Sequence, residues 1–240
     1  DFEKFSKYLN VKITAVYGGT DIKSQIKSLS KGNNIIIGTP GRVIDLIKRK
    51  RINLEKIKNV VMDEADEMLN MGFKKDIDTI LLKTPKNKQI LLFSATMPKE
   101  VLKISKSYMK NPHIIEIAKR NEGAKNVTHS YHIVSSKERY SALRRLCDFN
   151  PKIYGIVFCR TRRECKDVSS KLMKDGYNAD ALHGDLSQSQ RDYVMDKFRQ
   201  KNIEILVATD VAARGLDVNN ITHIINYNLP DDNEVYVHRS

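Results

Sequence analysis

The 240 residues include 42 Lys and Arg against 29 Asp and Glu, a net charge of +13, with 40% apolar and 30% charged residues. This describes a folded chain long enough for two domains; it excludes a disordered segment and, since no apolar run nears the roughly 18 residues of a membrane helix, a membrane span. The basic excess is uneven, 24 against 13 in the first 120 residues and 18 against 16 in the rest, which points to a polyanionic partner such as nucleic acid unless lysine-rich composition alone accounts for it.

The first predicted strand, Ile13–Tyr17, runs into Gly18-Gly19, and a helix follows with Ile22, Ile26 and Leu29 on one face. The strand Asn34–Ile37 leads into Gly38-Thr39-Pro40-Gly41-Arg42. Free backbone N–H groups, a helix start and a guanidinium there suit a phosphate, though an ordinary turn into a proline-started helix reads equally well. The basic run Lys48–Arg51 is suited to touch nucleic acid, though an ordinary solvated helix end is the favoured reading. Val60–Met62 leads into Asp63-Glu64-Ala65-Asp66. Paired carboxylates at the carboxyl end of a parallel strand are placed to hold Mg²⁺ through its waters and to orient an attacking water; a solvated helix N-terminus also favours acids.

Gln89–Phe93 is the next strand, followed by Ser94-Ala95-Thr96, whose hydroxyls either relay hydrogen bonds or cap the helix beginning near Pro98 and carrying Val101, Ile104 and Met109. A strand is predicted over Ile114–Ile117. The polar stretch Ala118–Val127 reads as a linker between two α/β units, 1–117 and 128–240. The second unit shows strands at Thr128–Val134, Ile153–Phe158, Asn178–Ala181, Ile203–Ala208 and Ile221–Tyr227. Runs such as Ile205-Leu206-Val207-Ala208, apolar on both faces, mark a parallel sheet covered by helices on each side.

In the second unit three strand ends carry polar groups. These are Cys159-Arg160-Thr161-Arg162, His183-Gly184-Asp185 with Gln188 and Arg191 beyond it, and Thr209-Asp210 with Arg214 and Asp217. A lone histidine such as His183 reads as structural. The three cysteines, Cys147, Cys159 and Cys165, have neither disulfide nor zinc spacing and read as small buried groups in a reducing compartment. The sequence holds no Gly-x-x-x-x-Gly-Lys-Ser/Thr loop, and with no Trp and 7% aromatic residues it favours sugar–phosphate contact over base stacking.

The order of these motifs resembles that of the DEAD-box RNA helicases along nearly the whole chain. Gly18-Gly19, Thr39–Arg42, Asp63–Asp66, Ser94–Thr96, Phe158–Arg162, Gln188–Arg191, Thr209–Val218 and His238-Arg239 occur in succession, with Asp63–Phe73 and Thr209–Val218 especially similar. The resemblance implies two RecA-like parallel-sheet α/β domains in tandem, the first incomplete at its N-terminus and the second at its C-terminus. It implies ATP and Mg²⁺ as cofactors and RNA, single-stranded or duplex, as a partner gripped without regard to base sequence.

By the same resemblance, Asp63 holds Mg²⁺ through water and Glu64 positions the attacking water. Ser94 and Thr96 link hydrolysis to strand separation, and Asp217 contacts the nucleotide ribose. Gly19, Thr39, Gly41 and Arg42 line the RNA path in the first unit, and Arg160, Gly184, Gln188, Arg191, Thr209 and Asp210 line it in the second. His238 sits near the interdomain face and couples the halves. The expected activity is ATP-dependent unwinding or remodelling of RNA by a cytoplasmic monomer with no membrane association. The phosphate loop and the last arginines of the family pattern do not occur in these residues, so the chain alone is expected to be inactive; the alternative is a non-hydrolysing RNA-binding module.

Overall fold

The structure is a computed structural model and describes residues 2–116, 127–216 and 218–239. The chain divides into two compact units, Asp1–Ala118 and Lys119–Ser240. Of the stretch expected as a linker, 118–127, residues 118–126 lie outside the described set.

In chain order the first unit contains α1 (Phe2–Phe5), β1 (Ile13–Val16), α2 (Ile22–Leu29), β2 (Ile35–Gly38), α3 (Pro40–Lys48), β3 (Asn59–Met62), α4 (Ala65–Asn70), α5 (Lys74–Lys83), β4 (Gln89–Leu92) and α6 (Lys99–Tyr108). The strands form two separate parallel pairs, β1 with β2 and β3 with β4. Each pair buries one face. Val16 packs with Leu29 and Leu46 of α2 and α3. Met62 packs with Ile77, Leu81, Val101 and Ile104 of α5 and α6. Successive strand residues point to opposite faces, and the other face stays open: Val61, Leu91 and Phe93 are exposed. Gly38 is required where β2 passes β1, because a Cβ there would lie 2.6 Å from side-chain carbons of Val16 and Val43.

The second unit contains α7 (Arg139–Phe149), β5 (Gly155–Phe158), α8 (Arg162–Lys174), β6 (Ala179–Leu182), α9 (Gln188–Arg199), β7 (Ile205–Ala208), α10 (Asp210–Ala213), β8 (His223–Asn226) and α11 (Asn233–Arg239). Its strands make one parallel sheet in the order β6-β7-β5-β8. The central strands β5 and β7 are buried at every residue. Val157, Ile205 and Val207 pack on α7 and α8 through Leu143, Val168 and Leu172. Ile156, Phe158 and Leu206 pack on α9 through Val194, Met195 and Phe198. This is the two-sided parallel sheet that the apolar runs foretold.

Two expected strands are absent among the described residues: 114–116 and 128–134 are irregular. Ile114, Ile115, Tyr131 and Ile133 are exposed, so these β-branched and aromatic residues have no sheet neighbour to pack against, and propensity alone does not make a strand. All three cysteines are buried. Burial pushes the thiol of Cys147 up to about 11 and that of Cys165 to about 12, and Cys159 is pushed up too. That is the chemistry of inert core residues.

Candidate functional site

The polar motifs collect at the carboxyl ends of the parallel strands, where open α/β sheets bind ligands. At the end of β3, Asp63 and Glu64 are exposed while Ala65 and Asp66 are buried. Glu64 is left-handed at φ 50 and ψ 50, a conformation that costs a side-chain-bearing residue about 1 kcal/mol or more. Its N–H donates to Asp63 Oδ1 at 3.0 Å. The kink turns the chain from strand to helix and presents both leading carboxylates to solvent.

Asp66 faces the other way, toward the end of β4. Thr96 donates to Asp66 Oδ2 from its backbone N–H at 2.7 Å and from its hydroxyl at 2.6 Å. Ser94 Oγ accepts from the Asp66 N–H at 3.3 Å and donates to the Thr96 carbonyl at 2.6 Å. The capping alternative for Ser94 and Thr96 therefore fails: Pro98 occupies the N-cap of α6 without a side-chain cap. The two hydroxyls instead bind the acidic turn of the neighbouring strand.

A second cluster sits at the ends of β1 and β2. Gly19 takes a φ of 80°, open to glycine without strain. The Thr39 N–H donates to the Val16 carbonyl at 3.1 Å. Pro40 starts α3 with Gly41 and Arg42 in its first turn. Arg42 reaches back to the preceding turn, donating from Nη2 to the Thr20 carbonyl at 3.2 Å and from Nη1 to Gln25 Oε1 at 2.9 Å. Gln25 escapes sequence reasoning. Its available signal is one polar residue on the face of α2 that Ile22, Ile26 and Leu29 make apolar.

In the second unit Arg160, Gly184 and Thr209 follow β5, β6 and β7. The Arg160 N–H donates to Asn228 Oδ1 at 3.0 Å and its guanidinium to Asp231 at 2.8 Å. Arg191 Nη2 donates to the Gly184 carbonyl at 3.2 Å, and Arg191 Nε is buried without an acceptor among the described residues. Beside Gly184, Asp185 accepts from Arg162 at 2.5 Å and Lys166 at 2.8 Å. The Lys166 ammonium, followed by the Arg162 charge, holds this exposed carboxyl below its ordinary range. Ser187 and Gln190 close a capping box at the start of α9, with Gln188 donating to Asp192 at 2.9 Å.

His183 is buried and accepts at Nδ1 from the Asp185 N–H at 3.3 Å. Burial, then the Lys166 charge, hold its pKa below the ordinary value. This supports the structural reading of His183. Thr209 is buried, and Asp210 takes both its carboxylate oxygens to Arg239 at 2.6 and 2.7 Å. That pair commits the Asp210 carboxylate to joining α10 to α11, a function the motif alone does not reveal. His238 lies half-buried on α11, and Asp217 lies outside the described residues. Among the described residues no three potential metal ligands come together, and no helix is long and apolar enough to cross a membrane.

A family model described as DEAD/DEAH box helicase matches residues 1–104, and one described as helicase conserved C-terminal domain matches residues 138–240. A probable ATP-dependent RNA helicase of Methanocaldococcus jannaschii is 50% identical over 239 residues, 100% of this chain and 64% of that protein. The DEAD-box ATP-dependent RNA helicase CshA of Streptococcus pneumoniae is 45% identical over 236 residues, 98% of this chain and 45% of that protein. The solved structure of Dbp5 of S. cerevisiae bound to RNA and ADP BeF3 is 28% identical with a TM-score of 0.86, over 99% of this chain and 62% of that one. The chain thus spans less than two thirds of the length of each of these relatives.

Proposed function

We propose, for a chain that belongs to the DEAD-box helicase family, that it forms part of an ATP-dependent RNA helicase whose two RecA-like domains close on ATP and RNA, strain a duplex locally and release it on hydrolysis. The relatives are named ATP-dependent RNA helicases, and one structural neighbour is bound to RNA and ADP BeF3. The observation that carries the reading is the lock of Asp66 onto Ser94 and Thr96, which ties the acidic turn after β3 to the hydroxyl turn after β4.

In this reading Asp63 and Glu64 serve ATP. Asp63 Oδ2 meets no protein donor among the described residues, which fits a carboxylate that holds Mg²⁺ through its water shell. The ion, when bound, neutralises charge that develops on the transferred phosphoryl group. Glu64, turned outward by its left-handed backbone, orients the attacking water. Ser94 and Thr96, bound to Asp66, pass any shift of the acidic turn to β4. Asp217 is proposed to contact the ribose and His238 to couple the domains.

The RNA path runs over Gly19, Thr39, Gly41 and Arg42 in the first unit and Arg160, Gly184, Gln188, Arg191 and Thr209 in the second. Exposed glycines with exposed or half-buried arginines near strand ends suit a sugar–phosphate backbone read without base contacts. Asp210 is proposed to lie along this path by its backbone, since its carboxylate is taken by Arg239. The uneven basic charge favours the polyanion electrostatically. The reading further takes the protein to be a cytoplasmic monomer, with three buried thiols that suit a reducing compartment.

The 240 residues contain no Gly-x-x-x-x-Gly-Lys-Ser/Thr loop, so ATP turnover is assigned to the natural gene product rather than to this chain alone. The test measures ATP hydrolysis with and without RNA on the natural gene product, on its Glu64→Gln variant and on the 240-residue chain. The expected result is RNA-stimulated hydrolysis in the natural product, lost in Glu64→Gln with RNA binding retained, and RNA binding without turnover in the short chain. Equal stimulation by DNA of the same sequence overturns the RNA assignment. A natural product that binds RNA and never hydrolyses ATP leaves an RNA-binding module instead.

A further inference from the structure

We propose that Gln25 is a positioning residue for the RNA path of the first unit, setting Arg42 and acting on nucleic acid only through it; the inference rests on the RNA reading above. Gln25 lies on the apolar face of α2 between Ile22 and Leu29 and is 7% exposed. A leucine would satisfy the packing pattern there, whereas a buried amide is costly unless its polar atoms are paired.

They are paired, and always with the same small region. Nε2 donates to the Tyr17 carbonyl at 3.0 Å and to the Thr20 hydroxyl at 2.6 Å, and Oε1 accepts from Arg42 Nη1 at 2.9 Å. Arg42 closes the ring by donating to the Thr20 carbonyl at 3.2 Å. A guanidinium can only donate, so the Gln25 oxygen has to face Arg42 and the nitrogen has to face the turn. One amide thereby ties Arg42, in the first turn of α3, to the Tyr17–Thr20 turn.

Arg42 is held without being saturated. A guanidinium has five N–H donors; Arg42 directs one to Gln25 and one to Thr20, and the others meet no protein acceptor among the described residues. Arg239 is the opposite case. Its Nε, Nη1 and Nη2 all bind Asp210, Asn226 or the Asn228 carbonyl, and its role is structural. A half-buried arginine anchored on one edge and open on the rest is prepared to bind a phosphate or ribose oxygen.

The test measures binding of a fluorescent oligouridylate to the 240-residue chain by anisotropy at several salt concentrations. The variants are Gln25→Leu, Gln25→Glu, Arg42→Ala and the Gln25→Leu/Arg42→Ala double variant. Gln25→Leu is expected to weaken binding by about tenfold, the range set by a hydrogen bond to a charged group. It should also reduce the slope of log affinity against log salt by about 0.7, one phosphate contact on a single strand. Gln25→Glu keeps an acceptor for Arg42 but loses the donor to Tyr17 and Thr20, and is expected to retain more affinity than Gln25→Leu.

In the Arg42→Ala background Gln25→Leu is expected to have no further effect. A purely structural role would lower affinity equally in both backgrounds and leave the slope unchanged, and either result overturns the inference. If the unsubstituted chain does not bind the oligonucleotide, the RNA reading itself falls and takes the inference with it.

Discussion

Arg239 meets Asp210 in a two-pronged ion pair, with Nε on one carboxylate oxygen at 2.6 Å and Nη2 on the other at 2.7 Å. The arginine side chain is 3% exposed and the aspartate 29%, and the guanidinium lies 4.7 Å from the Phe158 ring centre. Breaking a buried pair by removing one partner costs more than removing both, because a buried charge is left behind. Asp210→Ala should therefore lower the local stability of the second unit by about 2 kcal/mol, discounted from the fully buried case for the exposure of the aspartate. The Asp210→Ala/Arg239→Met double variant should recover most of that loss. Hydrogen exchange at Leu206 and Val207 of β7 reads both; a double variant weaker than the single one contradicts the account.

His183 sets an acid limit on the second unit. Its ring is buried, its Nδ1 accepts from the Asp185 N–H, and burial keeps its pKa below the ordinary 6.5. The unfolded chain therefore takes up a proton before the folded chain does. This contribution to stability is complete above pH of about 6.5 and is lost as pH falls toward the lowered folded value. Protection of the Leu182 amide should decline through that window. His183→Asn, which keeps an acceptor for the Asp185 N–H and cannot titrate, should flatten the decline. An imidazole NMR titration with a midpoint at or above the ordinary value would refute this.

Glu64 trades stability for placement. At φ 50 a glycine is unstrained and any side chain is not. Glu64→Gly should be more stable than Glu64→Ala by about 1 kcal/mol, the reverse of the ordinary order of these two residues in a helical segment. Both variants should lack ATP hydrolysis in the natural gene product. Thermal unfolding of the two variants side by side checks the order, and an alanine variant equal to or more stable than the glycine one would remove the strain from the account.

The parts of the fold that were legible in sequence are those with local signatures. Burial of both faces of β5 and β7 follows from four consecutive apolar residues, and the turn from β2 into α3 follows from Thr39-Pro40-Gly41. Ile114–Ile117 and Thr128–Val134 also carry β-branched residues, and none of their described residues joins a sheet, since a strand exists only where a neighbour pairs with it. The Thr96–Asp66 bond spans 30 residues and the Arg239–Asp210 pair 29. Neither distance is readable along the chain, so the sequence leaves relay and cap both open for Ser94 and Thr96 and shows Asp210 only as a strand-end acid. Gln25 was hidden for the same reason: its partners Tyr17 and Thr20 precede its helix, and Arg42 follows two elements later.

The paired strands of the first unit have a consequence for the protein in crowded solution. In a two-stranded sheet every strand is an edge, so among the described residues β1, β2, β3 and β4 each leave a row of backbone groups unpaired. The first 120 residues carry 24 basic against 13 acidic side chains, and that like charge keeps copies of this half apart at long range. The same lysines and arginines that draw in a polyanion thus act as a colloidal stabiliser. The Debye length shrinks from about 10 Å at 0.1 M salt to about 3 Å at 1 M, so concentrated salt removes both the repulsion between copies and the long-range pull on a polyanion.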